Sequence, residues 1–290
     1  MIAVTAASGT TGRHVLGALS SAGLPVRALV HSPERTESVR AHGAQEAVAA
    51  DLTHPGEVQA ALEGCTSIVH IGPPMHPREI TMGQNVIDAA RRAGVEHVVL
   101  MSVTHPQLEP LLNHQSKLAV ERHLLASRLP FTILQPMHYM QNVLVADCLA
   151  TGRFAQPYSL ERPLSFVDLA DVGQAAATVL AAPQNHVWAT YELCGTDTLT
   201  GHQIAEVLTS VGGTPVRAQQ VPLDTVLPAR AADYTIDGFT RLVNQYDRYG
   251  ILGNSNVLRW ILGRQPTTFE QYVRREHGCP TSPRHAQDHS

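Results

Sequence analysis

The chain has 290 residues, 43% of them hydrophobic, which is enough apolar material for one large domain or two modest ones. A formal net charge of −4 excludes broad electrostatic affinity for DNA or acidic membranes, and no run approaches the ~18–20 apolar residues of a membrane span. Residues 1–6 read as the start of a strand and not as a signal peptide. Cys65, Cys148, Cys194 and Cys279 stand far apart without CxxC spacing, so neither a zinc site nor a disulfide framework is expected, and scattered thiols fit a reducing cytoplasm. Of the 21 basic residues only Lys117 is a lysine, which marks that position before any motif is read.

Residues 1–150 alternate short apolar runs with helical patterns, the signature of βαβ units around a parallel sheet. Strands are expected at Ile2–Ala6, Pro25–Val30, Gln45–Ala50, Ser67–Ile71, Val95–Ser102 and Phe131–Gln135. Helices are expected between them at Gly12–Ser21, His54–Leu62, Thr81–Ala93 and His114–Ser127. Beyond Asn142 the pattern loosens into a loop marked by Gly152, Pro157 and Pro163. A helix at Leu169–Leu180, a strand at Thr190–Cys194 returning to the sheet, a helix capped by Thr200 and a short strand at Val216–Val221 follow. The remainder to Glu276 reads as helices and loops, and residues 277–290 as a disordered tail.

The first strand runs directly into Ala6-Ala7-Ser8-Gly9-Thr10-Thr11-Gly12, and a helix opens at once. Gly9 lets the backbone approach a pyrophosphate, Gly12 lets helix and strand pack closely, and the helix N-terminus supplies amides and a positive dipole end. In this βαβ context the turn points to a dinucleotide. The expected fold class is therefore α/β: a doubly wound, mostly parallel Rossmann sheet over 1–150, with a smaller C-terminal α+β substrate domain over 151–276.

The turn Val4–Gly12 resembles the TGATGxxG loop of the atypical short-chain dehydrogenases, specifically the NmrA-like family, with Ala6 in place of the first glycine. Val26–Arg35 resembles that family's VRALVRxPxK strand and turn, and Asp51-Leu52 its adenine-contacting pair. His114–Lys117 with Glu121 is similar to its HxxK…E helix, Phe131–Asn142 to its sixth-strand segment, and Phe166–Gly173 to its later helix start. The resemblance implies a bound NAD(P)H held by Ser8, Gly9, Thr10, Thr11, Gly12, His31, Arg35, Asp51, Leu52, Ile71, Gly72, Ser102 and Lys117. Ala6 is expected to tolerate that cofactor only if it keeps a negative φ.

NAD or NADP turns on the end of the second strand, where an acidic residue would bind a free ribose 2′-hydroxyl and repel a 2′-phosphate. His31, Ser32 and Arg35 stand there instead, so either cofactor is open, and so is a merely solvated turn. The wider superfamily uses a YxxxK pair, but the position four before Lys117 is Asn113 and no tyrosine precedes Tyr139. Lys117 can hold the nicotinamide ribose or pair with Glu121 on a helix surface. Quinones then become the expected acceptors, because the phenolate they yield is a stabilised anion that water protonates. Family members include quinone reductases, dye reductases and NAD(P) sensors, so a regulatory protein binding a partner is the alternative, and an isomerase using bound NAD a third.

Ligands bind at the carboxyl edge of a parallel sheet, which nominates Pro73, Pro74, Thr104, His105, His114, Met137, His138, Tyr139, Asn142 and Phe166 as substrate-pocket residues. His70 ends the fourth strand nearby. Lys117, His105, His138 and Tyr139 are the catalytic candidates, the histidines being pocket walls or proton donors. Met75, Met82, Met137 and Met140 face either a flat aromatic substrate or the core. The only HxxxH spacing, His285 with His289, lies in the tail, and no metal site is expected. The substrate is then a small aromatic or quinone, with no nucleic acid or membrane partner and the oligomeric state open.

Overall fold

A computed structural model describes residues 1–278. In chain order the first half contains β1 (Ile2–Val4), α1 (Thr10–Ser21), β2 (Val26–Val30), α2 (Thr36–Ala41), β3 (Glu46–Ala49), α3 (Pro55–Leu62), β4 (Ser67–Ile71), α4 (Glu79–Arg92), β5 (His97–Met101), α5 (Leu112–Ser127), β6 (Phe131–Pro136) and β7 (His138–Tyr139). The second half contains α6 (Val145–Thr151), β8 (Arg153–Gln156), β9 (Leu164–Val167), α7 (Leu169–Ala181), β10 (Ala189–Leu193), β11 (Thr198–Leu199), α8 (Gly201–Gly212), β12 (Arg217–Gln220), α9 (Asp233–Tyr249), α10 (Asn256–Leu262) and α11 (Phe269–Gly278).

Seven strands form one parallel sheet in the order β10-β6-β5-β4-β1-β2-β3. The order reverses between β1 and β4, which opens a crevice at their carboxyl ends. Strands β4, β5 and β6 are buried along their whole length, because helices cover both faces of the sheet. Val15, Leu16 and Leu19 of α1 pack with α7 on one face, and Val58, Val86, Ile87 and Leu124 of α3, α4 and α5 on the other. Helices α1 and α7 approach closely because Gly173 has no side chain: a Cβ there would lie 2.7 Å from the His14 carbonyl oxygen.

The expected strands and helices of the first half are present, with ends shifted by a few residues. The six-residue α2 was not expected. The expected loop after Gly152 instead contains β8, which pairs parallel with β12, and β9, which joins β7 and β11 in a three-stranded sheet. The expected return strand is β10, parallel to β6. Thr200 makes a capping box with Gln203 at the start of α8. His277 and Gly278, expected in the tail, close α11, and the rest of that tail, with His285 and His289, lies outside the described residues. Among the described residues no helix is long and apolar enough to cross a membrane.

The C-terminal elements are tied to the sheet by two buried carboxylates. Asp168 caps α7 by accepting from the Ala170 amide, and it also accepts from Gln141 and, at 2.7 Å, from Arg275 of α11. Burial opposes its charge, but these donors outweigh it and hold the Asp168 pKa below the usual value. Asp171 accepts from Arg264 at 2.7 Å and from the Thr267 amide.

Candidate active site

The turn from β1 into α1 lies at the crevice. Gly9 is the N-cap of α1, no side chain caps the helix, and its first turn carries no acidic residue. The open amides of Thr10, Thr11 and Gly12 and the helix dipole therefore suit an anion. A Cβ on Gly12 would lie 2.2 Å from the Ala6 carbonyl oxygen, so glycine is required for strand and helix to meet. These features fit the pyrophosphate of a dinucleotide. Ala6 departs from expectation: its φ is +48°, in the left-handed region, because the chain reverses here and the Gly9 amide donates back to the Ala6 carbonyl at 2.9 Å. The turn thus keeps its geometry with alanine in a conformation that glycine adopts at lower cost.

His31 is exposed just past β2, with Ser32, Glu34 and Arg35 in the following turn. A hydrogen bond from Ser32 holds the Glu34 carboxyl below its usual pKa, with a smaller contribution from the His31 ring. Asp51 follows β3, where its side chain accepts from the Thr53 amide at 2.8 Å, and the Leu52 carbonyl accepts from Asn85.

Ile71 ends β4 and Gly72 follows it, and the hydroxyl of Thr5, just past β1, binds this end. It donates to the Ile71 carbonyl and accepts from the Ile71 amide, so the proton of the 3.1 Å bond to His70 sits on Nδ1 of that ring. Burial, reinforced by the charge of Lys117, pushes the His70 pKa down to about 3. Lys117 does not pair with Glu121. Its Nζ lies 2.7 Å from Oε1 of Glu79 at the start of α4, and a Cβ on Gly72 would stand 3.2 Å from both atoms. Glu121 is buried instead, accepting from the hydroxyl of Ser102 and from Gln135. Ser102, expected to touch the cofactor, is therefore committed to the α5 side of the sheet.

Several expected pocket residues stand behind the surface. Thr104 is buried and donates to the Gln135 carbonyl, and His114 is buried and bonds the His105 carbonyl through Nδ1 at 2.8 Å. Phe166 is buried beside Phe269, and Met137 packs against Gly253 and shares the core with Met140. Met75 is buried under Gly238 of α9, while Met82 is half-buried. The C-terminal elements fold over the carboxyl edge and cover Met75, Met137 and Phe166, whereas Thr104 and His114 are buried against neighbouring backbone carbonyls.

Gly72, Pro73, Pro74, His138, Tyr139 and Asn142 stay at this edge. His138 is half-buried, ringed edge-on by Tyr158, Phe166 and Tyr246, and its Nε2 accepts from Asn142 at 3.2 Å. Burial lowers its pKa to about 4, so the ring is neutral at pH 7. The Tyr139 phenol meets Thr11 at the phosphate turn, and burial pushes its pKa up to about 12. His105 adopts φ +56° and is held away from the crevice by Nε2 donating to the Leu252 carbonyl at 3.0 Å, with Glu192 3.6 Å from Nδ1. Sequence reasoning missed Glu79 and Tyr234, whose hydroxyl lies 3.4 Å from Ser116 of α5. Neither carries a motif; both reach the site only through packing. Among the described residues no group of three or more His, Cys, Asp or Glu is placed to hold a metal ion.

A doubly wound parallel sheet with an uncapped glycine turn at its switch point defines a dinucleotide-binding protein. The chain belongs to the NmrA-like family, whose model matches residues 1–273. It is 28% identical over 285 residues to the NAD(P)H azoreductase of Xenophilus azovorans, covering 94% of this chain and 97% of that protein. It is 30% identical over 239 residues to the (4-alkanoyl-5-oxo-2,5-dihydrofuran-3-yl)methyl phosphate reductase of Streptomyces griseus, covering 81% of this chain and 82% of that one. The structure of the NADPH-dependent quinone oxidoreductase 2 of Escherichia coli complexed with NADPH superposes with a TM-score of 0.79 at 26% identity, covering 96% of this chain and 100% of that chain.

Proposed function

We propose that this protein, an NAD(P)H-dependent oxidoreductase, reduces a quinone or a similarly conjugated aromatic carbonyl compound by direct hydride transfer, without a YxxxK tyrosine. The observation that carries the reading is the pairing of one half-buried lysine, Lys117, with a carboxylate and not with a phenol at the end of β4. Bound at the switch point, the dinucleotide supplies the hydride. The open amides of Thr10, Thr11 and Gly12 would hold its pyrophosphate, with Ser8 and Gly9 lining the turn, His31 and Arg35 facing its adenosine ribose, Asp51 and Leu52 its adenine, and Ile71 and Gly72 the end nearer the nicotinamide. Lys117 donates to the nicotinamide ribose. The acceptor lies against Pro73, Pro74, His138 and Asn142.

No tyrosine is needed because the acceptor's product is a phenolate. Its charge is spread over a conjugated ring, the Lys117 ammonium lies near, and water supplies the proton. His138, neutral at pH 7, accepts from Asn142 and acts as a wall and not as an acid. The three described cysteines, Cys65, Cys148 and Cys194, are buried free thiols, which suits the cytoplasm we assign.

Stopped-flow oxidation of NADH and NADPH with a panel of naphtho- and anthraquinones tests the reading. Turnover should survive Tyr139→Phe and Tyr234→Phe within about threefold, because neither phenol delivers a proton. Tight cofactor binding with no oxidation by any quinone would instead favour a sensor.

A further inference from the structure

The Glu79–Lys117 contact is unusual among the charged pairs of this protein. Both side chains are withdrawn from solvent, at 2% and 13% exposure. Removing two charges from water costs several kcal/mol per ion, so such a pair is weak as a stabilising device. Packing brings the two together. Helices α4 and α5 approach closely at Gly83, where a Cβ would lie 2.5 Å from Val120, and Glu79 and Lys117 stand one turn earlier on the two helices. The carboxylate also sits in the first turn of α4, where the helix dipole favours an anion.

The contact is a short charged pair, with Nζ 2.7 Å from Oε1. The carboxylate therefore fixes where the ammonium sits, and with one of its three N–H groups turned to Oε1 the others stay available to another acceptor. Nothing on α5 does this job: Asn113 occupies the position one turn before Lys117, and its Oδ1 is itself buried without a partner. His70 stands below the ammonium as a neutral ring, and Gly72 leaves just enough room above β4 for both charged atoms.

We propose that Glu79 is a positioning residue, its carboxylate fixing the Lys117 ammonium over Gly72 in the place from which it meets the nicotinamide ribose. The inference rests on the reading that Lys117 holds that ribose. It makes a separate claim about α4, a helix that no cofactor motif in this chain includes.

The test is calorimetric and needs no turnover. The variants Glu79→Gln, Gly72→Ala and Lys117→Gln are titrated with NADPH and with 2′,5′-ADP, or with NADH and ADP if that dinucleotide binds more tightly. The shorter probes lack the nicotinamide ribose. Glu79→Gln keeps the shape and removes the charge; Gly72→Ala keeps the charges and wedges a methyl between them and the strand. Both should lose about tenfold or more in dinucleotide affinity while the short probe stays within twofold, with melting temperatures recorded alongside. Equal losses for both probes, or a lowered melting temperature with unchanged dinucleotide affinity, would mean that Glu79 serves the fold alone and would overturn the proposal. Lys117→Gln separates the premise from the inference. If it binds the dinucleotide as tightly as the parent, the ribose reading fails; if it loses affinity while the other two variants do not, only the role of Glu79 fails.

Discussion

Lys117 on α5 places its ammonium 2.7 Å from the carboxylate of Glu79 on α4, while Glu121, one turn further along α5, is turned inward onto Ser102 and Gln135. The lysine is thus half-buried against a neighbouring helix and does not form the i,i+4 surface pair. Lys117→Ala should strand the Glu79 charge and cost about 3–5 kcal/mol of stability, against the few tenths of a surface pair. It should also weaken cofactor binding by roughly ten- to a hundred-fold. Lys117→Arg should be impaired as well, since a guanidinium is wider than the space beside Gly72. Denaturant titration and calorimetry on both variants decide this.

Ala6 holds φ at +48° in the turn that joins β1 to α1. Ala6→Gly should relieve about 1 kcal/mol of strain, raise the melting temperature by a few degrees and leave cofactor affinity unchanged or improved. A lower melting temperature would show that the flexibility gained by the unfolded chain outweighs that relief.

Gly9 leads the same turn, and a Cβ there would stand 3.2 Å from the Ala6 carbonyl oxygen. Gly9→Val should abolish cofactor binding by filling the approach to the open amides, and calorimetry reads it directly.

His31 is exposed at the end of β2. His31→Asp should shift preference toward NADH, because a carboxylate accepts from a ribose 2′-hydroxyl and repels a 2′-phosphate. The ratio of NADPH to NADH dissociation constants is the quantity to measure.

His70 is pushed down to about 3, and His97, His114 and His138 to about 4, chiefly by burial in each case. Unfolded histidine titrates near 6.5, so between about pH 4 and 6.5 the unfolded chain binds protons that the folded chain does not. Stability from these rings is complete above about pH 6.5 and falls as the pH drops, by about 1.4 kcal/mol per pH unit for each ring. Melting temperatures measured from pH 7.5 to 5 should fall steeply below 6.5, and less steeply in His97→Gln.

The first six strands and helices α1, α3, α4 and α5 are legible in sequence because each is an apolar run or a 3.6-residue pattern, whereas the six-residue α2 is too short to show one. β8 is not: Phe154 and Gln156 alternate inward over only four residues, and the partner β12 lies far along the chain. The positive φ of Ala6 escapes because alanine gives no local sign of it. Glu79 escapes because the i,i+4 rule points from Lys117 to Glu121, whereas the true partner comes from a neighbouring helix through the close approach at Gly83. The burial of Met75, Met137 and Phe166 depends on C-terminal elements folding back over the sheet edge, which no local pattern encodes.

Single-turnover stopped flow distinguishes direct hydride transfer from every other route of nicotinamide oxidation. NADPH carrying deuterium in turn at each C4 position is mixed with the protein and 1,4-naphthoquinone, and nicotinamide oxidation is followed. Oxidation is expected with a primary isotope effect for one of the two labelled positions, in the absence of flavin and in the Tyr139→Phe and Tyr234→Phe variants as well. Cofactor that stays reduced with every quinone while tightly bound, or oxidation that vanishes with either phenol, would contradict it.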